Sequence, residues 1–350
     1  ELTIMARAGA LMSAEIAEQP AVWRRQLEES TRQVDADARR IAEYDPRMIL
    51  FVGRGTSDHA GLYGKYLTEI VLQLPAGMVS PSTMTAYGAR PALDRVLMIG
   101  VSQSGGSPDL VHSLEVARQQ GALTLAITNQ AGSPLAQASE LELDVLAGPE
   151  QAVAATKSYT AQLLALYLIF DRLRGGSPDS AAAPPDLADR LIAGDDGVRT
   201  LAQRYRFASR LVTTARGYSY STAREAALKL METSYLGAQA FSGADLLHGP
   251  LAMIDPQVPV LAIVADGAGG QAMQQVISRL AEVGADVMCV GNADAVAAAN
   301  AGVALPAGVS QELSPLLEII PFQQLALHLA VARGGDPDAP RGLKKVTETL

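Results

Sequence analysis

The chain has 350 residues, 48% of them hydrophobic, which is enough for two ordinary domains with a core in each. Its 37 acidic against 28 basic residues give a formal net charge of −9, with no basic block, which argues against nucleic-acid and membrane-surface partners. A single cysteine, Cys289, in an apolar run rules out a disulfide framework, and with no stretch read as a signal or a transmembrane span the expectation is a cytoplasmic protein.

In chain order, residues 1–46 are expected to be a helical opening, broken at Glu18-Gln19-Pro20. Residues 47–174 read as a first domain. Met48–Val52 is a buried strand, Gly53-Arg54-Gly55-Thr56-Ser57 follows, and a helix runs through about Leu72. Further strands are expected near Gly77–Ser80, Val96–Val101, Leu123–Thr128 and Leu141–Leu146, then one helix over Gln151–Leu173. Strands alternating with helices in this way imply an α/β fold with a doubly wound parallel sheet. Residues 175–200, opening on Gly175-Gly176-Ser177-Pro178, read as a linker. A second domain is expected over 201–335 and an irregular tail over 336–350.

The second domain repeats the first. Arg54-Gly55-Thr56-Ser57 meets Arg216-Gly217-Tyr218-Ser219, and Val101 and Gly105 meet Ile263 and Gly267, all at one offset. The two copies differ where it matters. Strand Val96–Val101 runs into Ser102-Gln103-Ser104-Gly105-Gly106-Ser107, with Ser107 suited to the N-cap and Pro108 to the first turn of the next helix. Such a turn offers backbone N–H groups, the positive end of a helix dipole and several hydroxyls, which suits a phosphate monoester. The plain alternative is a solvated turn that caps a helix. In the second copy the same place holds Val264-Ala265-Asp266, whose carboxylate would repel phosphate, so only the first copy is expected to bind it.

The second copy offers other chemistry. Glu225, Lys229 and Glu232 lie at i, i+4 and i+7 and share one helix face, either as a solvated ion-paired face or as proton-handling groups. His248, on a loop before Gly249-Pro250, is an acid/base candidate, whereas His112 and His328 are expected to be satisfied core residues. The four histidines show no metal-ligand spacing, so no metal is expected. By composition the tail ending in Lys344-Lys345 reads as a disordered end, with an amine for imine formation as the alternative.

Taken together, these motifs resemble the sugar-isomerase (SIS) proteins, in particular the isomerase half of glutamine–fructose-6-phosphate aminotransferase, over the whole chain to Lys345-Val346-Thr347. The resemblance implies two tandem SIS domains, each a five-stranded parallel sheet between helices, in a homodimer with a shared active site. It assigns Thr56, Ser57, Ser102, Gln103, Ser104 and Ser107 to a sugar phosphate and its hydroxyls, and the backbone at Val153 and Ala154 to the sugar pocket. It makes Glu232 the group that moves a proton between C1 and C2, with Lys229 its neighbour on the helix. His248, from the partner subunit, would assist ring opening, and Lys345 would form a Schiff base with the open-chain ketose. The tail is then expected to cover the site rather than to be disordered.

Departures from that family shape the expected reaction. No glutaminase domain or nucleophilic cysteine of that kind is in this sequence, Arg54 stands where cysteine is usual, Ala155 where serine is, and Leu247 replaces a lysine before His248. These features resemble stand-alone relatives that deaminate. The expected activity is glucosamine 6-phosphate to fructose 6-phosphate and ammonia, with no cofactor. Rivals are a fructosyl-amino-acid 6-phosphate deglycase, synthesis in the reverse direction with ammonia or a separate glutaminase, and a sugar-phosphate-binding regulator.

Overall fold

A computed structural model describes residues 7–345; the remaining positions, with Val346 and Thr347 of the terminal motif, lie outside the described residues. The chain opens with helices α1 (Ala10–Glu29) and α2 (Thr31–Tyr44). Strands and helices then alternate: β1 (Met48–Val52), α3 (Thr56–Leu67), β2 (Ala76–Met78), α4 (Pro81–Thr85), β3 (Val96–Ser102), α5 (Pro108–Gln119), β4 (Leu123–Thr128), α6 (Pro134–Ala138) and β5 (Leu141–Asp144). Helices α7 (Lys157–Leu173), α8 (Pro184–Ala193) and α9 (Asp195–Tyr205) lead to the second series. That series is β6 (Arg210–Ala215), α10 (Ser219–Ser234), β7 (Gly237–Ser242), α11 (Gly243–Leu247), β8 (Val260–Val264), α12 (Ala268–Glu282), β9 (Val287–Gly291), α13 (Ala293–Ala298), β10 (Ala301–Ala304) and α14 (Ser314–Ala332).

Both sheets are five-stranded and all-parallel, in the orders β2-β1-β3-β4-β5 and β7-β6-β8-β9-β10. Each therefore runs 2-1-3-4-5 in its own numbering, so the duplication read from the sequence is a duplication of topology. The chain forms two compact units. The first-sheet unit is Ala21–Pro149 with Lys157–Pro185; the second-sheet unit is the described part of Glu1–Pro20 with Glu150–Thr156 and Asp186–Lys345.

In the first-sheet unit β3 and β4 are buried along their whole length, as apolar runs between two helical layers must be. Each fully buried Val, Leu, Ile or Met there contributes roughly 1.5–3 kcal/mol of transfer free energy. In the second-sheet unit β8 and β9 have the same character, and Cys289 is buried on β9.

Four expectations need correction. Pro20 does not break α1, because the Ile16 carbonyl that proline leaves without its helical donor accepts from the Gln19 side-chain amide at 3.1 Å. The helix expected from Gln151 starts only at Lys157. The N–H groups of Gln151 and Ala152 donate to Glu15, and that of Thr156 donates to Glu150, so carboxylates take bonds that a helix would have used. α14 is long and apolar enough to cross a membrane, contrary to the sequence reading, yet 89% of that window is buried, as in a core helix. His112 is not a core residue; its side chain is 40% exposed, 3.9 Å from Glu115. His328 is satisfied as expected, by Asp195 at 2.6 Å.

Candidate functional site

In the first-sheet unit β1 and β3 are neighbours whose crossovers leave in opposite directions, so the crevice at their carboxyl ends is a topological switch point, where open α/β sheets bind ligands. Both expected binding loops end there. Ser102 closes β3 and its Oγ accepts the Gly105 N–H at 3.1 Å; Ser104 Oγ accepts that of Gly106 at 3.3 Å. The Gln103 and Gly105 carbonyls accept the N–H groups of Asn129 and Leu135, which fixes the loop's backbone. Gly105 has φ +61°, and a Cβ there would sit 2.1 Å from Ser133 Oγ, so no side chain fits. Ser107 is the extended N-cap of α5 with Pro108 behind it, as expected, but its side chain makes no cap bond. That hydroxyl is available for a ligand.

Thr56 and Ser57 form the first turn of α3, at the end of β1. Ser57 is buried, and its Oγ accepts from Gln162 on α7 at 3.0 Å, so the helix fixes this hydroxyl's orientation. Arg54, just before them, makes a 2.6 Å ion pair with Asp109 in the first turn of α5.

The matching loop of the second-sheet unit is closed by the chain itself. Gly267 precedes α12, and the Ala268 N–H at the helix start donates to the Gln311 side chain at 3.1 Å. Asp266 stands beside this helix start, and the Gln311 side chain occupies one of its donors.

α10 carries the candidate proton-handling groups, on a face that is largely buried. Lys229 is fully buried, its Nζ 2.6 Å from Glu232 and 3.3 Å from Glu225; Glu225 is 1% exposed and Glu232 22%. This is an internal acid–base–acid array, not a solvated face. Burial on its own lowers the pKa of Lys229, but the attraction of Glu225 and Glu232 and hydrogen bonds to both outweigh it, so the ammonium is held well above its ordinary value. Only Glu232 of the three reaches the surface. The start of α10 is anchored by Glu318 of α14, which accepts from Ser219 and Thr222 of α10 and from Ser314 at 2.7–2.8 Å. Burial raises the Glu318 pKa against those three hydrogen bonds.

Lys345 is ordered within the same unit. Its Nζ donates to Glu150 Oε2 at 2.9 Å and to the Ala152 carbonyl at 2.6 Å, so the tail amine meets the segment that holds Val153 and Ala154. Ala154 is buried and Val153 partly so. Two further anchors bring the tail there. Asp336 and Asp338 accept N–H groups of Gly9, Leu11 and Met12 at 2.8–3.0 Å, capping α1, and Arg341 stacks on Tyr235 while donating its N–H to the tyrosine hydroxyl. Composition alone favoured disorder, but the described part of the tail is a bonded strap.

His248 is the C-cap of α11, exposed, and its ring makes no hydrogen bond among the described residues. The structure thus brings Lys229 to Glu232, and Lys345 to the Val153–Ala154 segment, but bonds His248 to none of them. Among the described residues no cluster of His, Cys, Asp or Glu is arranged to hold a metal ion.

Sequence reasoning missed Glu15, Glu150, Asp109, Gln311 and Glu318. Glu318 alone left a signal, as the one acid within the apolar run Leu313–Ala332. A lone carboxylate there must find buried donors.

The SIS domain family model matches residues 44–172 and 205–333, one copy to each sheet. The chain is 37% identical over 343 residues to a glutamine–fructose-6-phosphate aminotransferase (isomerizing) of Methanothermobacter thermautotrophicus, covering 95% of this chain and 56% of that protein. The corresponding protein of Thermococcus kodakarensis is 33% identical, with 95% and 57% covered, so the chain spans little more than half the length of these relatives. Among solved structures, the C-terminal domain of glucosamine-fructose-6-phosphate aminotransferase from Francisella tularensis superposes with a TM-score of 0.81 at 26% identity, covering 94% of this chain and 98% of that one. Glucosamine-6-phosphate deaminase from Thermotoga maritima gives a TM-score of 0.78 at 22% identity over 97% and 100%, a likeness of fold.

Proposed function

Since the chain belongs to the SIS domain family, with two copies of the domain, we propose that it is an amino-sugar-phosphate isomerase that converts glucosamine 6-phosphate and water to fructose 6-phosphate and ammonia. The observation that carries this reading is Lys345. Its tail is strapped down at three places, so that a primary amine ends on the Glu150 carboxylate and the Ala152 carbonyl.

The phosphate is held by Ser102, Gln103, Ser104, Ser107, Thr56 and Ser57, and this remote binding energy positions the reacting carbons. His248, supplied by the partner of a homodimer, protonates the ring oxygen as the ring opens. Glu232 takes the C2 proton of the open aldose while the C2 ammonium gives a proton to O1, forming an enolamine, and Glu232 then delivers its proton to C1; the product is a 1-hydroxy 2-iminium. The Lys345 amine attacks C2 and ammonia leaves with a proton, giving a lysine Schiff base. Water then adds to C2, and the lysine departs as the amine, leaving the ketose. Lys229 holds the Glu232 carboxylate by a 2.6 Å ion pair, which fixes the position of the proton-transfer group. Arg54, Ala155 and Leu247, where aminotransferase-like sequences usually differ, support the deaminating direction.

The relatives at 33–37% identity are named as aminotransferases, which favours one second reading: synthesis of the amino sugar from fructose 6-phosphate. One experiment separates the two. Purified protein is given glucosamine 6-phosphate, or fructose 6-phosphate with ammonium or glutamine, and ammonia and both sugars are measured. Ammonia release in the first mixture supports the proposal, amino sugar only in the second supports synthesis, and turnover in neither overturns both.

A further inference from the structure

We propose that Arg54 is the charged element of the phosphate subsite, tethered by Asp109, and that it gives the site its preference for a phosphate dianion. This rests on the reading of Ser102–Ser107 as that subsite. Every group expected there is a neutral donor: four side chains from Ser102–Ser107, the hydroxyls of Thr56 and Ser57, and backbone N–H groups. A chain with a net charge of −9 supplies no general attraction for a dianion, so the cation must be local.

Arg54 is placed for that role. It follows β1 and precedes Thr56, at the switch-point crevice whose other side is the end of β3. Its Nε and one Nη both bind Asp109 Oδ2, at 2.7 and 2.6 Å, which carries the guanidinium from the β1 loop to the first turn of α5, the turn capped by Ser107. The pair is asymmetric. Asp109 is 1% exposed, with its other oxygen 2.9 Å from the Leu110 N–H, whereas Arg54 is 49% exposed and its Nη1 makes no hydrogen bond within the described chain. The carboxylate is thus shielded and the guanidinium presents an open edge of N–H donors, the geometry that suits a phosphate oxygen. Without Arg54, the Asp109 carboxylate would stand beside the loop with no cation between it and a phosphate.

The experiment compares wild type with Arg54→Met, Arg54→Lys and Asp109→Asn, from pH 5 to 8. It measures KM and kcat for glucosamine 6-phosphate and competition by inorganic phosphate. A phosphate monoester loses its second proton near pH ~6, so wild-type affinity should rise through that pH. Arg54→Met should raise KM at pH 8 by about tenfold or more, leave kcat within about twofold, and flatten the pH profile. Arg54→Lys should keep the profile and recover part of the affinity, and Asp109→Asn should keep the profile with a smaller loss. A folded Arg54→Met protein whose KM and pH profile match wild type overturns the inference alone. Wild type that binds neither sugar phosphate nor inorganic phosphate overturns the phosphate reading and the inference with it.

Discussion

The Lys345 ammonium donates to the Glu150 carboxylate at 2.9 Å although 195 residues separate them in the chain. Glu150 also accepts the Thr156 N–H at 3.0 Å, so one carboxylate holds both the tail amine and the turn that carries Val153 and Ala154. Any shift of that turn is therefore felt at the amine.

Two variants follow from this link. Borohydride added to protein with fructose 6-phosphate should attach one reduced sugar phosphate at Lys345, seen by mass spectrometry of the peptide, and Lys345→Arg should abolish both adduct and turnover. Glu150→Gln turns one acceptor oxygen into a donor facing an ammonium and should lower adduct yield and turnover by about tenfold. An adduct on another lysine would remove Lys345 from the mechanism.

The α10 array separates chemistry from stability. Glu232→Gln should retain sugar-phosphate binding while turnover falls by roughly 10²–10⁴. Lys229→Met leaves Glu225 and Glu232 without their buried cation and should cost about 3–5 kcal/mol in denaturant unfolding. If Glu232→Gln loses binding together with turnover, its role is structural.

Glu15 links stability to pH. Burial raises its pKa above the ordinary 4.5, opposed by the N–H groups of Gln151 and Ala152 and by Lys345, and reinforced by Glu150. A carboxyl whose pKa is higher in the fold gives stability that is complete below its ordinary value and is lost as pH rises through the folded value. Glu15→Gln cannot ionise, so its melting temperature relative to wild type should climb from pH 4.5 toward neutrality. A difference constant with pH would show that Glu15 does not titrate in this way.

Charge placed in the first loop should reproduce the second. Ser104→Asp puts a carboxylate two residues beyond Ser102, as Asp266 stands two beyond Val264, and should weaken sugar-phosphate binding by about tenfold or more with little change in melting temperature. Unchanged affinity in calorimetry would place the phosphate elsewhere.

How much of this was legible depended on distance along the chain. β1, β3, β4, β6 and β8 were readable because each is a short apolar run beside its own turn, and the serine loop because its residues are consecutive. The partners that set the chemistry were not. Arg54 meets Asp109 55 residues on, and Glu15 meets Gln151 136 residues on; in sequence each of these carboxylates looks like surface charge. The same holds for Lys229: helical spacing put it on a face with Glu225 and Glu232, but only the packing of α10 against α14 and the sheet made it internal.

The glutamine lying across the start of α12 bears on how the two copies could change roles. Restoring serine at Asp266 would remove a repulsion and still leave the donor occupied, because Gln311 arrives from the segment after β10 and already satisfies Ala268. Recovering an anion site in that half therefore calls for a change at Gln311 as well as at Asp266, in separate places. The division of labour between the halves behaves as a ratchet: easy to enter one substitution at a time, and hard to leave by the same path.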